Sequence, residues 1–195
     1  MYEVELKFSV ADPRALEQRL GTLGATWHAP IDQIDRYFNH PCRDFDRTDE
    51  ALRLRQDGDH VVITWKGPRI DAATKTRREI ELPLAIRLPK GGDVAHPAST
   101  VAEWTELLEA IGFRPVATVA KRRQPARVHW QGMEVDVARD SVAGVGEYLE
   151  LELQAGEAEV PLARACLESL ARELGCGACE RRSYLELLLE APTAR

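Results

Sequence analysis

The sequence predicts an antiparallel α+β domain. About eight or nine strand-like runs follow one another through hairpin signals, and about four amphipathic stretches at helical spacing supply cover for one face of a sheet. A further observation predicts that the sheet closes on itself. Strand after strand keeps its polar face almost purely charged, with acids on the first and late strands and cations between them.

The first strand sets the pattern. In Glu3-Val4-Glu5-Leu6-Lys7, alternation puts Val4, Leu6 and Phe8 on one face and Glu3, Glu5 and Lys7 on the other. Carboxylates two residues apart sit about 6.6 Å apart along a strand, near enough for both side chains to reach one hard cation. Oxygen donors of this kind suit magnesium or manganese.

Asp12-Pro13 then starts a helix striped by Leu16, Leu20 and Leu23 and stopped by Gly24. Residues 26–39 read as one long strand, and residues 40–50 as a loop. Strands 51–56 and 61–66 flank an Asp57-Gly58 turn and carry Arg53, Arg55 and Lys66 on their polar faces. Gly67-Pro68 is expected to break the run. The strand 75–82 sets Lys75, Arg77, Glu79 and Glu81 on one face.

Pro83 to Pro97 reads as a connector between two halves of similar layout. Thr100 and Glu103 form a capping box for a helix through Ile111, with Leu107, Leu108 and Ile111 as its buried stripe. A strand at 113–123 brings Lys121 and Arg123 to one face. A hairpin of 127–130 with 134–138 turns at Gln131-Gly132, with Arg127 before the turn and Asp136 after it. The strand 147–153 sets Glu150 and Glu152 against Leu149, Leu151 and Leu153 and mirrors the opening one. A helix at 161–174, striped by Leu162, Cys166, Leu167, Leu170 and Leu174, precedes a short one capped by Ser183 and Glu186. Residues 1–190 are expected to form a single domain, and 191–195 a loose tail.

Sorted charge of this kind does not suit a packed core, because unpaired buried charge is costly. It suits a wet tunnel in a barrel whose first and late strands bring their acids together opposite a basic wall. A chain of linked phosphates, bound through divalent cations on one side and Arg/Lys on the other, complements that arrangement. An ordinary solvated sheet laced with cross-strand salt bridges is the alternative.

Composition narrows the field of functions. A net charge of -6 over 195 residues leaves no broad basic face for nucleic acid or an anionic membrane, so any anion site is local. No stretch has the length and apolarity of a membrane span, and no leader pattern precedes the first strand, so a cytoplasmic protein is expected. Cys176 and Cys179 are spaced C-x-x-C without a second ligand pair; with Cys42 and Cys166 they are expected to be ordinary thiols.

The ordered set E-V-E-L-K-F, A-L-R-L-R, W-K-G-P, K-T-R-R-E-I-E, K-R-R, M-E-V-D, Y-L-E-L-E-L and R-S-Y-L-E-L-L resembles the CYTH superfamily of triphosphate tunnel metalloenzymes. It is most similar to class IV adenylyl cyclases of the CyaB type. The resemblance implies an eight-stranded antiparallel tunnel, usually in a homodimer, that binds a triphosphate (ATP, tripolyphosphate or thiamine triphosphate) with magnesium or manganese. It implies Glu3, Glu5 and Glu150 as metal ligands, with Asp136 and Glu152 as further ligands or supporting acids. Glu3, Glu5 and Lys7 would form the catalytic set. Lys7, Arg53, Arg55, Lys66, Lys75, Arg77, Lys121 and Arg123 would hold phosphates, with Arg127 as a further candidate. A cyclase, a triphosphatase and a catalytically silent polyphosphate binder all fit this pattern.

Overall fold

The computed structural model describes residues 2–58, 60–70, 75–84 and 100–191. Its elements run β1 (Tyr2–Ser9), α1 (Pro13–Thr22), β2 (Thr26–Trp27), β3 (Ile31–Asn39), α2 (Phe45–Thr48), β4 (Ala51–Asp57), β5 (His60–Arg69), β6 (Arg77–Pro83), α3 (Val101–Ala110), β7 (Arg114–Trp130), β8 (Met133–Val142), β9 (Gly146–Ala155), α4 (Val160–Glu173) and α5 (Tyr184–Glu190). Eight strands pair antiparallel in the order β7-β3-β4-β5-β6-β1-β9-β8, and β8 returns to β7 to close the barrel. The ninth, β2, adds to the end of β7 through Thr26 and Trp27. The barrel expected from the sorted charges is therefore formed, and β1 lies directly beside β9, with Glu5 opposite Glu152 and Lys7 opposite Glu150.

Alternation divides each strand between barrel interior and outer core. Val4, Leu6 and Phe8 of β1 join Leu149, Leu151 and Leu153 of β9 and Val135 and Val137 of β8 outside the barrel, where α1 and α4 cover them. Leu167 and Leu170 of α4 and Leu20 of α1 are fully buried there; each such leucine contributes about 1.5–3 kcal/mol by leaving water. A second outer cluster packs Phe38, Leu52 and Leu54 against Phe45 of α2 and Leu108 of α3. The helix α5 lies across one mouth of the barrel, with Tyr184 and Leu187 against Tyr37, Val119, Val142 and Tyr148.

The helix caps match the sequence expectation. Asp12 accepts from the Arg14 and Ala15 amides, and Thr100 and Ser183 each form a reciprocal capping box with a glutamate three residues on. Gln131 (φ 49°) and Gly132 (φ 84°) form the left-handed pair a two-residue hairpin requires.

Several expectations are corrected. The run 26–39 is broken by His28-Ala29-Pro30 into β2 and β3, since proline's missing N–H and the restriction it places on the preceding residue interrupt a ladder. The 40–50 loop contains the single turn α2, capped by Asp44. Gly67-Pro68 does not end β5; the strand passes through with a register shift between Lys66 and Arg69. Gly67 permits this, because a Cβ there would stand 3.0 Å from the Trp65 ring. The two strands expected over 113–130 are one strand of 17 residues that includes Pro125. The strand expected from Lys75 begins at Arg77. In α3 the buried stripe is Val101 and Leu108 with Trp104 packed beside them, whereas Leu107 and Ile111 face solvent. Leu162 at the start of α4 is likewise exposed. Most of the expected 83–97 connector (85–97), and residues 192–195 of the expected tail, lie outside the described residues.

Candidate active site in the barrel interior

A cavity of about 460 Å³ occupies the barrel interior, and charged side chains from β1, β4, β5, β6, β7 and β9 line it. Of the residues singled out from sequence, Glu3, Glu5, Arg53, Arg55, Lys66, Lys75, Arg77, Lys121, Arg123, Glu150 and Glu152 all stand on its wall. Local alternation explains the convergence, since each is an inward position of its strand. Lys75 precedes β6, and its backbone amide donates to the Glu5 carbonyl at 3.1 Å.

Two residues expected at the site, Lys7 and Asp136, are not on the wall of this cavity. Lys7 is fully buried but absent from the cavity wall; its ammonium sits 4.1 Å from the Tyr184 ring centroid and donates to the Arg182 carbonyl. Burial, then the neighbouring Lys75 charge, pulls its pKa down to about 7. Asp136, near the start of β8, has its side chain 58% exposed, and Arg127 Nε donates to it at 2.8 Å. That pair lines an adjoining cavity of about 250 Å³, which shares Arg123, Glu150 and Glu152 with the tunnel wall, and Asp136 stands directly opposite Glu152 in the sheet.

The sequence reading missed two acids that organise the basic wall. Asp35 of β3 accepts from Arg55 Nε and Nη2, both at 2.7 Å, and from Arg53 at 3.3 Å. Asp140 of β8 accepts from Arg123 at 2.8 and 2.6 Å, from Lys121 at 3.1 Å and from the Tyr184 hydroxyl at 3.0 Å. Both are buried. Burial alone would raise the Asp35 pKa, but Arg53 and Arg55 outweigh it and hold the carboxyl well below the usual carboxylate range. Asp35 was hidden because Ile31 and Ile34 obscure the inward parity of Gln33, Asp35 and Tyr37. Asp140 was hidden because Arg139-Asp140-Ser141 resembles a turn.

The acidic wall is built differently. Lys66 donates to Glu3 at 2.7 Å and contacts Glu79 at 2.8 Å, Lys75 donates to Glu5 at 2.8 Å, and Arg123 donates to Glu150. Among the described residues Glu152 has no cationic partner and accepts from Gln154 at 2.9 Å. Burial and then the like charge of Glu3 push its pKa up to about 8. Burial also raises Glu3, against the opposing pull of Lys66. Glu150 goes the other way: burial opposes its ionisation, but Arg123 and Lys121 hold its carboxyl well below the usual range.

Two arginines keep unspent donors. Among the described residues Arg53 Nε is buried without a hydrogen-bond partner. The Arg77 side chain, in a residue 7% exposed, makes no hydrogen bond or ion pair among the described residues. Such groups are ready for an incoming oxyanion.

The donor set fits a hard divalent cation. Glu3, Glu5 and Glu152 are oxygen donors whose mutual repulsion a bound cation would relieve. Among the described residues no three acids converge as a ready-made metal site, because lysines now hold Glu3 and Glu5. Burial lowers the Lys121 pKa to about 8, with Arg123 adding to the shift, so the basic wall is itself crowded with like charge that a polyanion would offset.

A family model described as a CYTH domain matches residues 1–184. A protein of Methanocaldococcus jannaschii that carries a provisional adenylate cyclase name is 32% identical over 152 residues, covering 78% of this chain and 77% of that one. The structure of the PH1819 protein of Pyrococcus horikoshii is 38% identical and superposes with a TM-score of 0.79, over 96% of this chain and 98% of that one. A Hippeastrum protein, described as an adenylyl cyclase candidate with a dominant triphosphatase activity, shares the fold at 18% identity and a TM-score of 0.60, over 96% of this chain and 94% of that one.

Proposed function

The chain belongs to the CYTH domain family, and from that premise we propose that it is a metal-dependent enzyme acting on triphosphates, in the first place a class IV adenylyl cyclase. It would convert ATP to cyclic AMP and pyrophosphate. The observation that carries the triphosphate reading is the two-walled interior. One wall presents Arg53, Arg55, Lys121 and Arg123, and the facing strands present Glu3, Glu5 and Glu152.

In this reading the basic wall binds the phosphate chain, with Arg53 Nε and the Arg77 guanidinium supplying donors that have no other partner among the described residues. Asp35 and Asp140 hold Arg55 and Arg123 in fixed orientations, so little reorganisation is needed as negative charge develops on the leaving group. Glu3, Glu5 and Glu152, with Glu150 beside them, would hold magnesium or manganese, which when bound supplies charge neutralisation at the reacting phosphorus and its leaving group. In the cyclase reaction the ribose 3′ hydroxyl oxygen bonds to the α-phosphorus, the bond to the bridging oxygen breaks, and pyrophosphate leaves. Lys7 acts from behind the wall: its ammonium fixes Tyr184 and the Arg182 carbonyl.

The kinship with the M. jannaschii protein favours the cyclase. A second reading, hydrolysis of the terminal phosphate of tripolyphosphate or of a nucleoside or thiamine triphosphate, is favoured by the interior itself, whose lining is almost wholly polar and charged. Incubation with ATP, and separately with tripolyphosphate, in magnesium or manganese, followed by chromatography, separates the two. Cyclic AMP with pyrophosphate identifies the cyclase. Orthophosphate without cyclic AMP identifies the triphosphatase. Neither product from either substrate would overturn the enzymatic reading.

A further inference from the structure

A second chamber opens beside the tunnel. It measures about 230 Å³, lies between β3, α2 and α5, and shares Tyr37, Ala51, Arg77 and Ser183 with the tunnel wall. Its lining differs in kind. Phe38 and Phe45 supply aromatic surface, and Val116, Leu185 and Leu189 supply aliphatic surface. The register of β3 against β7 slips between Tyr37 and Phe38, and both side chains line this chamber; bulges of this sort cluster at barrel rims and beside sites.

The charge balance is also reversed. Four carboxylates (Asp46, Asp49, Glu50 and Glu186) outnumber two guanidinium groups (Arg69 and Arg77), whereas seven cationic side chains face six carboxylates in the tunnel. Phosphate is therefore favoured in the tunnel and disfavoured in the chamber. Asp49 is committed to Arg69, which it contacts at 2.6 Å, and Glu50 to Trp65 Nε1 at 3.0 Å and Arg43 at 3.1 Å. Asp46 has no side-chain partner among the described residues, leaving a carboxylate acceptor for an amino group. The shared wall carries Arg77, 7% exposed and unpartnered among the described residues. The volume lies below the roughly 300–1,000 Å³ of sites for whole drug-sized ligands and suits a single ring system.

We propose that this chamber seats the amino-bearing heterocyclic head group of a triphosphate whose phosphates lie in the tunnel, with Arg77 holding the phosphate nearest the ring. The inference rests on the triphosphate reading of the tunnel and adds to it a site for substrate selection. The chamber makes the difference between an organic triphosphate and bare tripolyphosphate.

Calorimetric titration of the full chain in magnesium with ATP, CTP, UTP and tripolyphosphate tests it. CTP and UTP differ at the exocyclic amine, and CTP should bind roughly tenfold more tightly, a difference of about 1.4 kcal/mol. Val116→Trp fills the chamber from an exposed position and should weaken ATP about tenfold or more while leaving tripolyphosphate within about twofold. Leu189→Trp, also at an exposed position, should do the same, and melting curves would verify that both variants fold. Equal affinities for CTP and UTP would overturn the amino-bearing assignment. Tryptophan variants that leave ATP binding unchanged, or weaken ATP and tripolyphosphate alike, would overturn the chamber. Wild-type protein that binds none of the four ligands would remove the tunnel reading first, and this inference with it.

Discussion

Asp35 and Asp140, among the cations of the basic wall, and Glu3 and Glu152, across the β1–β9 seam, are carboxylates of one barrel with different surroundings. The aspartates each gather two cationic side chains, and the pKa of Asp35 falls. Burial, and then the like charge of Glu3, raises the Glu152 pKa; burial and Glu79 raise that of Glu3 against the pull of Lys66. Burial pushes Asp35, Glu3 and Glu152 all upward, and the pKa falls only at Asp35, where the neighbouring cations outweigh it. The first pair braces the basic wall. The second stands in a field that favours an added cation.

Removing a brace should have the largest effect on the fold. Asp140→Ala leaves Lys121 and Arg123 facing each other in a buried setting and should cost ~3–5 kcal/mol, read as a lowered urea midpoint. A loss below about 1 kcal/mol would mean that water takes over from the carboxylate. On the acidic side, Glu5→Gln should lower metal-dependent turnover by about 100-fold or more while the protein still melts cooperatively. Full activity in that variant would take Glu5 out of the metal shell.

Arg55→Ala comes next and sharpens the division of labour. It should weaken triphosphate binding roughly tenfold or more and monophosphate binding far less, since only the longer anion spans the wall. Equal losses would place Arg55 outside the phosphate track.

The pH dependence of stability gives a finer test. Glu152 has a folded pKa of about 8 against about 4.3 unfolded, so the folded state binds more protons between those values. Its contribution is fully present below about pH 4.3 and is lost as pH rises through about 8. Glu152→Gln should therefore flatten the fall in melting temperature over that window, and identical pH profiles would contradict the crowding. The Asp35 contribution runs the other way. It is present above about pH 3.9, the unfolded value, and is lost as acid titrates the carboxyl through its depressed folded pKa. The smallest effect belongs to Asp136→Asn, which should leave turnover and melting unchanged, because its partner Arg127 is as exposed as it is.

Much of this was readable before the structure. Inward positions of β1, β4 and β9 follow from strict alternation, so Glu3, Glu5, Arg53, Arg55, Glu150 and Glu152 were found from period alone. Asp35 escaped because β3 has polar residues on both faces; Ile34, which looks like a core residue, is 39% exposed. Asp140 escaped because β8 runs four residues past the point where its composition turns polar, held there by pairing with β7 and β9. Lys7 shows a different limit of the alternation. Alternation sends it inward, but α5, more than 170 residues later in the chain, sets the Tyr184 ring 4.1 Å from its ammonium, and Tyr184 rather than Lys7 stands on the cavity wall. Period reports direction along a strand; it carries no information about what a distant helix will put in front of it.

The pairing of β1 with β9 also constrains the order of assembly. Glu5 and Glu152 become neighbours only when segments at opposite ends of the sequence meet, a contact with a large loop-closure entropy. The pairs β3–β4 and β7–β8 need no such closure, and Asp35 finds Arg53 and Arg55 within the first while Asp140 finds Lys121 and Arg123 within the second. The braces of the basic wall can therefore form early and locally, while the acidic cluster exists only once the last seam of the barrel has closed. A chain stopped short of that seam would hold the arginines of the basic wall without Glu150 and Glu152, so nascent or partly folded molecules should adsorb polyanions less selectively than the closed barrel.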